Sequence, residues 1–299
     1  MRVFVTGATG WVGSAVVDDL IAAGHEVIGL TRSDDGGKRL VAAGANALHG
    51  TLDDLDILKQ GAAQADAVIH TAFNHDFSRM VENCEQERRA IDAIGTELEG
   101  SDRALIVTSG VALLAPGRVA TEDDQARIPA PAFPRNPEEA AAKFASRGVR
   151  VTAVRLAPTV HGVGDHGFVP MLIGLAREKG VSVYVDGGDN RWPAVHRFDA
   201  ARIYRLALER GVQGGPFHAI AEEGIPFREI AGIIGRRLNI PVESRSLEEA
   251  AEHFGWMARF AGLDCPASSE RTRTYLGWKP EQPGLLADLD QPGYFLPSA

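Results

Sequence analysis

Cysteine is almost missing from this chain. Its 299 residues hold two, Cys84 and Cys265, far apart and with no thiol or imidazole cluster around either. There is no CxxC, no Cys/His grouping and no HExxH. These absences exclude a recognisable structural zinc or zincin site and a disulfide scaffold, so two reduced, buried thiols and no metal are expected. Long apolar runs are missing too, since none approaches the ~18 uncharged residues that cross a bilayer. The N-terminus, Met1-Arg2-Val3-Phe4-Val5-Thr6-Gly7, passes straight into a strand-like pattern, without the apolar segment and cleavage site of a secretory leader. Together these predict a cytoplasmic protein that engages no membrane. Basic residues are in deficit, 31 Lys plus Arg against 40 Asp plus Glu for a formal charge of −9, which argues against a nucleic-acid partner. Linkers, low-complexity tracts and repeats are lacking. Tyrosine is scarce: Tyr184, Tyr204, Tyr275 and Tyr294 are all there are.

What is present is ordinary globular composition, 44% hydrophobic and 24% charged, at a length that suits one or two domains. Short β-branched runs at Arg2–Thr6, Glu26–Thr31, Asn46–His49, Asp66–Ala72, Ala104–Ser109 and Arg150–Leu156 alternate with helical patterns. Several are apolar on both parities, as strands covered on both faces by helices must be. In Trp11–Ala23, residues Val12, Val16, Val17, Leu20 and Ile21 recur at helical spacing, and Gly24 supplies a stop. Parallel neighbours need helical crossovers, so the repeated β-α-β units predict an α/β fold with a doubly wound parallel sheet. Beyond residue 157 the rhythm loosens. Helices are expected at Val169–Glu178, Phe198–Glu209, Phe227–Leu238 and Leu247–Phe260, a strand at Val181–Val185, and a loop from Gly187 to Pro193.

Between the first strand and first helix lies Thr6-Gly7-Ala8-Thr9-Gly10-Trp11-Val12-Gly13. Each glycine has a mechanical reason there: Gly7 permits the turn, Gly10 lets backbone approach a phosphate, and Gly13 lets the helix pack closely on the sheet. A pyrophosphate would rest on the N–H groups that open the helix, where the dipole favours anions. Residues 1–157 are therefore read as a dinucleotide-binding domain and 158–299 as a smaller substrate lobe, partly interleaved with it. The second strand ends Leu30-Thr31-Arg32-Ser33, without the usual terminal acid that holds both ribose hydroxyls. Arg32, with Ser33 as a second donor, suits an adenosine 2′-phosphate, which favours NADP. Asp34 and Asp35 follow closely and keep NAD open.

The GxxGxxG spacing after Thr6 resembles the short-chain dehydrogenase/reductase superfamily, in particular its extended and atypical branches of the epimerase/dehydratase type. The resemblance runs on in chain order. It takes in Leu52-Asp53, His70-Thr71-Ala72-Phe73, Thr108-Ser109-Gly110, Leu156-Ala157-Pro158-Thr159-Val160-His161-Gly162, Trp192 to Asp199 and Tyr275 to Pro280. It implies a Rossmann domain. It also implies a cofactor site drawn from Gly7, Thr9, Gly10, Trp11, Val12, Gly13, Arg32, Ser33, Leu52, Asp53, Thr71, Ala72, Phe73, Thr108, Leu156 and Pro158. Asp53 falls at the adenine-contacting position, Thr71 to Phe73 beside the ribose, and Ser109 at the active-site hydroxyl. A homodimer is common among such proteins, although Glu82, Glu85, Glu87, Arg88 and Arg89 load the usual dimer helix with charge.

The chain departs from the resemblance in its catalytic pair. Counting back from Gly148 puts the usual YxxxK tyrosine near Ala130 or Pro131 and its lysine near Pro134 or Arg135, and no tyrosine stands there. Arg135 can replace the lysine as a fixed cation; nothing nearby replaces the phenol. The catalytic candidates are Ser109, by position, His161, in place of the tyrosine of an RPxxVYG stretch, and Tyr184, at a strand end before the Trp192 loop. His166 and His196 are further imidazoles in the same half. Lys143 reads as a surface partner of Glu139 on a helix spanning 138–147. The function expected is NADP-dependent transfer of hydride to or from a small or medium-sized carbonyl, or an activated C=C or C=N bond. The alternatives are a non-catalytic NADP redox sensor and a sugar-nucleotide epimerase or dehydratase.

Overall fold

The apolar runs of the first half become the centre of one sheet. In a computed structural model that describes residues 1–112, 114–126 and 134–296, the strands are β1 (Arg2–Thr6), β2 (Glu26–Thr31), β3 (Asn46–His49), β4 (Ala67–His70), β5 (Ala104–Gly110) and β6 (Arg150–Leu156). Between them run helices α1 (Trp11–Ala22), α2 (Asp34–Ala42), α3 (Leu55–Ala63), α4 (Met80–Leu98) and α5 (Pro137–Ala142). Val3, Phe4 and Val5 have no exposed surface on either face of β1, which is why the run is apolar on both parities. All pairings in the sheet are parallel.

The second half supplies β7 (Thr159–His161), α6 (Phe168–Lys179), β8 (Ser182–Val185), β9 (Arg191–His196), α7 (Arg197–Glu209), β10 (Phe217–Ala219), β11 (Glu222–Pro226), α8 (Phe227–Leu238), β12 (Val242–Arg245), α9 (Leu247–Phe254), α10 (Ala258–Ala261), α11 (Glu270–Leu276) and α12 (Leu285–Leu289). Strand β10 returns to the main sheet, whose full order is β10-β6-β5-β4-β1-β2-β3. Helix α7 packs on α1. The rest forms a lobe with a three-stranded sheet, β11-β9-β7, a two-stranded one, β12-β8, and its own core around Trp192, Phe227, Ile230 and Phe254.

The helix expected over 138–147 ends at Ala142 and is followed by a separate 3-10 turn at Ala145–Arg147 that Gly148 closes at φ 77°. Two further expectations fail for identifiable reasons. The loop ending at Pro193 is in fact the start of β9, the central strand of the small sheet. Proline is tolerated because the β11 register slips opposite it: Trp192 faces Ile225 and Ala194 faces Glu222, so the missing N–H falls at a bulge. The helix expected to run unbroken from Leu247 to Phe260 stops at Phe254. Gly255 takes φ 56° and ψ −129°, a conformation open to glycine, and a 3-10 turn carries the chain through Trp256 to α10.

A buried ion network ties α5 to the sheet. Arg155, on β6 and 2% exposed, donates from Nε and Nη2 to the two carboxylate oxygens of Glu138 at 2.8 Å each and from Nη1 to the Asp124 carbonyl. Such a pair contributes little when intact, but losing one partner strands a buried charge. Its position ties Asp124 and the first turn of α5 to β6.

Candidate active site

The site is assembled at the C-terminal ends of the strands. Gly7 has φ +67°, and a Cβ on it would lie 2.8 Å from the Ala72 nitrogen. A Cβ on Gly13 would lie 2.0 Å from the Gly7 carbonyl oxygen. The loop is thus folded on itself and against the end of β4 so tightly that no side chain fits at either position. Gly10 caps α1 without any side-chain bond, and no acidic residue occupies the first helical turn. The opening N–H groups therefore keep the free donors and positive potential that a pyrophosphate requires. Thr71 Oγ1 donates to the Thr6 carbonyl at 2.7 Å and pins the end of β4 beside this loop.

At the end of β2, Arg32 is exposed and has no partner among the described residues, although Asp34 and Asp35 are adjacent. Asp35 pairs with Lys38 instead. Ser33 caps α2 by accepting from Gly36 N at 3.1 Å, which leaves its own proton available. Asp53 is engaged from α4, accepting from Gln86 Nε2 at 2.6 Å and Arg89 Nη2 at 3.2 Å, while Leu52 packs into the core. Leu156 is paired within the sheet, its carbonyl accepting from Val111, and Pro158 follows on the way into β7.

Beside β5, Arg135 donates to Glu87 Oε1 at 2.6 Å and Oε2 at 3.0 Å, and to the Thr108 carbonyl at 3.0 Å, with its guanidinium 4.4 Å over the Phe73 ring. Glu87, read from sequence as a surface charge of the dimer helix, is 2% exposed; burial pushes its carboxyl upward and Arg135 opposes that. Thr108 Oγ1 donates to the His70 carbonyl, so the buried Tyr204 hydroxyl donates to Thr108 at 2.9 Å. Burial also raises the Tyr204 phenol, whose proton is committed to structure. His70 is buried against Thr6 Oγ1 at 2.8 Å, and desolvation lowers it to about 3, with Arg135 adding to the effect. Ser109, half-buried, has no side-chain partner among the described residues. The positions counted for the missing tyrosine, Ala130 and Pro131, lie outside the described residues; Arg135 is at the position counted for the lysine.

The lobe closes over this edge through Trp11, whose indole N–H donates to the Val160 carbonyl at 2.7 Å. Arg197 lies 4.1 Å over its ring and donates to Ser14 Oγ at 2.9 Å. His166 meets Trp11 edge-on at 5.7 Å. Next to it, burial raises the Asp165 carboxyl to about 6 despite the bond it accepts from Gly167 N at 2.7 Å.

The structure does not bring His161 and Tyr184 to Ser109. His161 has no exposed surface, its Nδ1 lies 2.8 Å from Asp288 Oδ2, and its ring meets His196 edge-on. Tyr294 accepts from Gly162 N and donates to the same Asp288, completing a structural clamp between β7 and the C-terminal segment. Tyr184 lies on β8 in the two-stranded sheet, packed over Gly188. Lys143 pairs with Asp92 on α4 at 2.5 Å rather than with Glu139. Sequence reasoning missed His75, an outer residue whose ring is nonetheless packed edge-on against Phe73 at 5.2 Å and Phe77 at 6.2 Å, so that desolvation of the ring, with the Arg135 and His166 charges, holds its pKa down. Its place two residues beyond Phe73 was the one signal available.

Residues 3–109 match the sequence profile of the NAD dependent epimerase/dehydratase family. The chain is 54% identical over 297 residues to a protein of Schizosaccharomyces pombe described as uncharacterised, covering 99% of this chain and 100% of that one. It is 28% identical to a 4-hydroxy-2-methyl-3-oxo-4-farnesyl-3,4-dihydroquinoline-1-oxide ketoreductase of Stigmatella aurantiaca, over 89% of this chain and 84% of the relative. Among solved structures, the Bordetella bronchiseptica enzyme WbmG in complex with NAD and UDP shares the fold. Its TM-score is 0.73 across 98% of this chain and 93% of that chain, at 17% identity.

Proposed function

Because the chain belongs to the NAD dependent epimerase/dehydratase family of extended short-chain dehydrogenases/reductases, we propose that it is an NADP-dependent oxidoreductase. Its substrate would be a small or medium-sized carbonyl compound, or an activated C=C or C=N bond. The observation that carries the reading is the tight turn of Gly7, Gly10 and Gly13 at the end of β1, on the same strand-end edge of the sheet as a Ser109 hydroxyl with no side-chain partner among the described residues. When bound, the reduced nicotinamide supplies hydride.

The rest falls to residues of the chain. The α1 opening N–H groups hold the pyrophosphate, Arg32 and Ser33 the 2′-phosphate, and the Thr71–Phe73 backbone flanks the ribose. Arg135, fixed by Glu87 and Phe73, keeps a positive charge at the end of β5. The Ser109 O–H donates to the carbonyl oxygen as negative charge develops there, and pre-set donors of this kind cost no reorganisation. With no phenol in place, the proton reaches that oxygen from solvent, relayed by Ser109 or by His75 at the cleft mouth.

The Stigmatella relative, named as a ketoreductase, supports carbonyl reduction. The epimerase reading would need cations for a nucleotide diphosphate. Arg177 is donated to the Phe295 carbonyl, Arg191 to Asp264, and Arg197 to Ser14. The test is incubation with 4-deuterated NADPH and a panel of carbonyl, imine and enone compounds. Deuterium in a product supports the reading. Saturable NADPH binding with no transfer to any compound moves it to a redox sensor.

A further inference from the structure

Aromatic rings from both halves of the molecule meet in one contiguous surface. Phe73, His75 and Phe77 come from the segment after β4, Phe168 opens α6, and Trp256 and Phe260 come from the broken helix after β12. Phe77 stacks on Trp256 with centroids 4.8 Å apart and planes 26° from parallel. Phe77 also stacks on Phe168 at 6.4 Å, and Phe168 meets Phe260 at 5.0 Å. His75 bridges Phe73 and Phe77 at 5.2 and 6.2 Å. The inner end of this surface is tied to the catalytic edge, since Arg135 lies on Phe73 and donates to the carbonyl of Thr108, next to Ser109.

Two further features identify what such a wall receives. Trp256 is 53% exposed although one face is stacked, so a large apolar ring is held in water at the edge of this surface, one residue past the Gly255 break. A contiguous apolar patch held in this way marks a binding surface. The guanidinium that lies on Phe73, Arg135, is committed to Glu87. Phosphate-bearing ligands would meet rings there, with the bidentate donors of Arg135 already taken.

We propose that this surface is the substrate subsite and that it takes planar, uncharged aromatic aldehydes or ketones, the ring lying against Phe77 and Trp256 and the carbonyl turned toward Ser109. The inference rests on the oxidoreductase reading above. The reduction balances as follows: hydride from the nicotinamide forms the new C–H bond at the carbonyl carbon, the C=O π pair moves to oxygen, and a solvent proton completes the alcohol.

The test uses the full chain with NADPH and two probes, 2-naphthaldehyde and propanal, comparing kcat/KM from NADPH oxidation. Binding of 2-naphthylmethanol to the NADP-loaded protein is read separately by calorimetry. The expected preference for the naphthyl probe is about 100-fold, from the larger apolar area covered. Trp256→Ala and Phe77→Leu should each lower that preference roughly tenfold and weaken naphthylmethanol binding to match. Trp256 is half-exposed and leucine keeps the Phe77 site apolar, so both variants retain the core. A preference near unity, or one unmoved in both variants, overturns the subsite and leaves the oxidoreductase reading standing. Naphthylmethanol binding that the variants weaken, with no turnover of either probe, supports an aromatic subsite and overturns carbonyl reduction at it.

Discussion

Arg135 lies flat on Phe73, 4.4 Å from the ring centroid, while its edge is bonded to Glu87 at 2.6 and 3.0 Å. One guanidinium thus satisfies a nearly inaccessible carboxylate and braces the end of β4 against β5.

Arg135→Met should unfold at lower urea, with a loss of about 3 kcal/mol at pH 7, because Glu87 would be left charged without a partner. Burial already pushes the folded-state carboxyl of Glu87 upward. A raised folded pKa gives stability that is complete below the unfolded value and is lost as pH rises through the folded one. The deficit of Arg135→Met should therefore shrink on acidification from pH 7 toward pH 4. Urea titrations at both pH values check this, and a deficit independent of pH would refute it.

Arg32→Ala should weaken NADPH about 10- to 100-fold, the worth of charge-assisted bonds to a 2′-phosphate, and change NADH by less than about threefold. Calorimetric titration of both nucleotides decides it. Equal losses would assign Arg32 no part in choosing the cofactor.

Ser109→Ala should lower turnover about 100-fold, as loss of one donor to a developing oxyanion does elsewhere, with NADPH affinity retained. Stopped-flow reduction of any accepted substrate measures it. Unchanged turnover would remove Ser109 from the mechanism.

Asp165→Asn should raise the melting temperature at pH 7.5 and leave it nearly unchanged at pH 4. Burial raises this carboxyl to about 6, so ionising it on going above that pH costs the folded state. Asparagine keeps an oxygen for Gly167 N and carries no charge. A variant less stable than the parent at pH 7.5 would contradict the assignment.

The glycine loop and first six strands were legible because their signals are local: β-branched runs apolar on both faces, and glycines at positions where a Cβ meets backbone. What stayed hidden depends on partners far along the chain. His161 reads as a replacement for a tyrosine until Asp288 and Tyr294, more than a hundred residues later, bury it. Glu87 has the spacing of a solvated helix charge until Arg135 folds over it. Pro193 argues against a strand unless the bulge in β11 is known. Trp256 falls in a continuous helical pattern, and only the backbone at Gly255 shows that it turns outward.

Strand β10 is laid beside β6 only after the chain has travelled through β7, α6, β8, β9 and α7. The first part of the lobe, β7 to β9, is thereby threaded between two neighbouring strands of the larger sheet, and the remainder, from β11 on, follows β10. Cutting the chain after residue 157 would leave the β6 edge and the α1 surface under α7 bare, exposing unsatisfied backbone and apolar area together. The two halves should therefore melt as a single cooperative unit, and neither is expected to be an autonomous folding module.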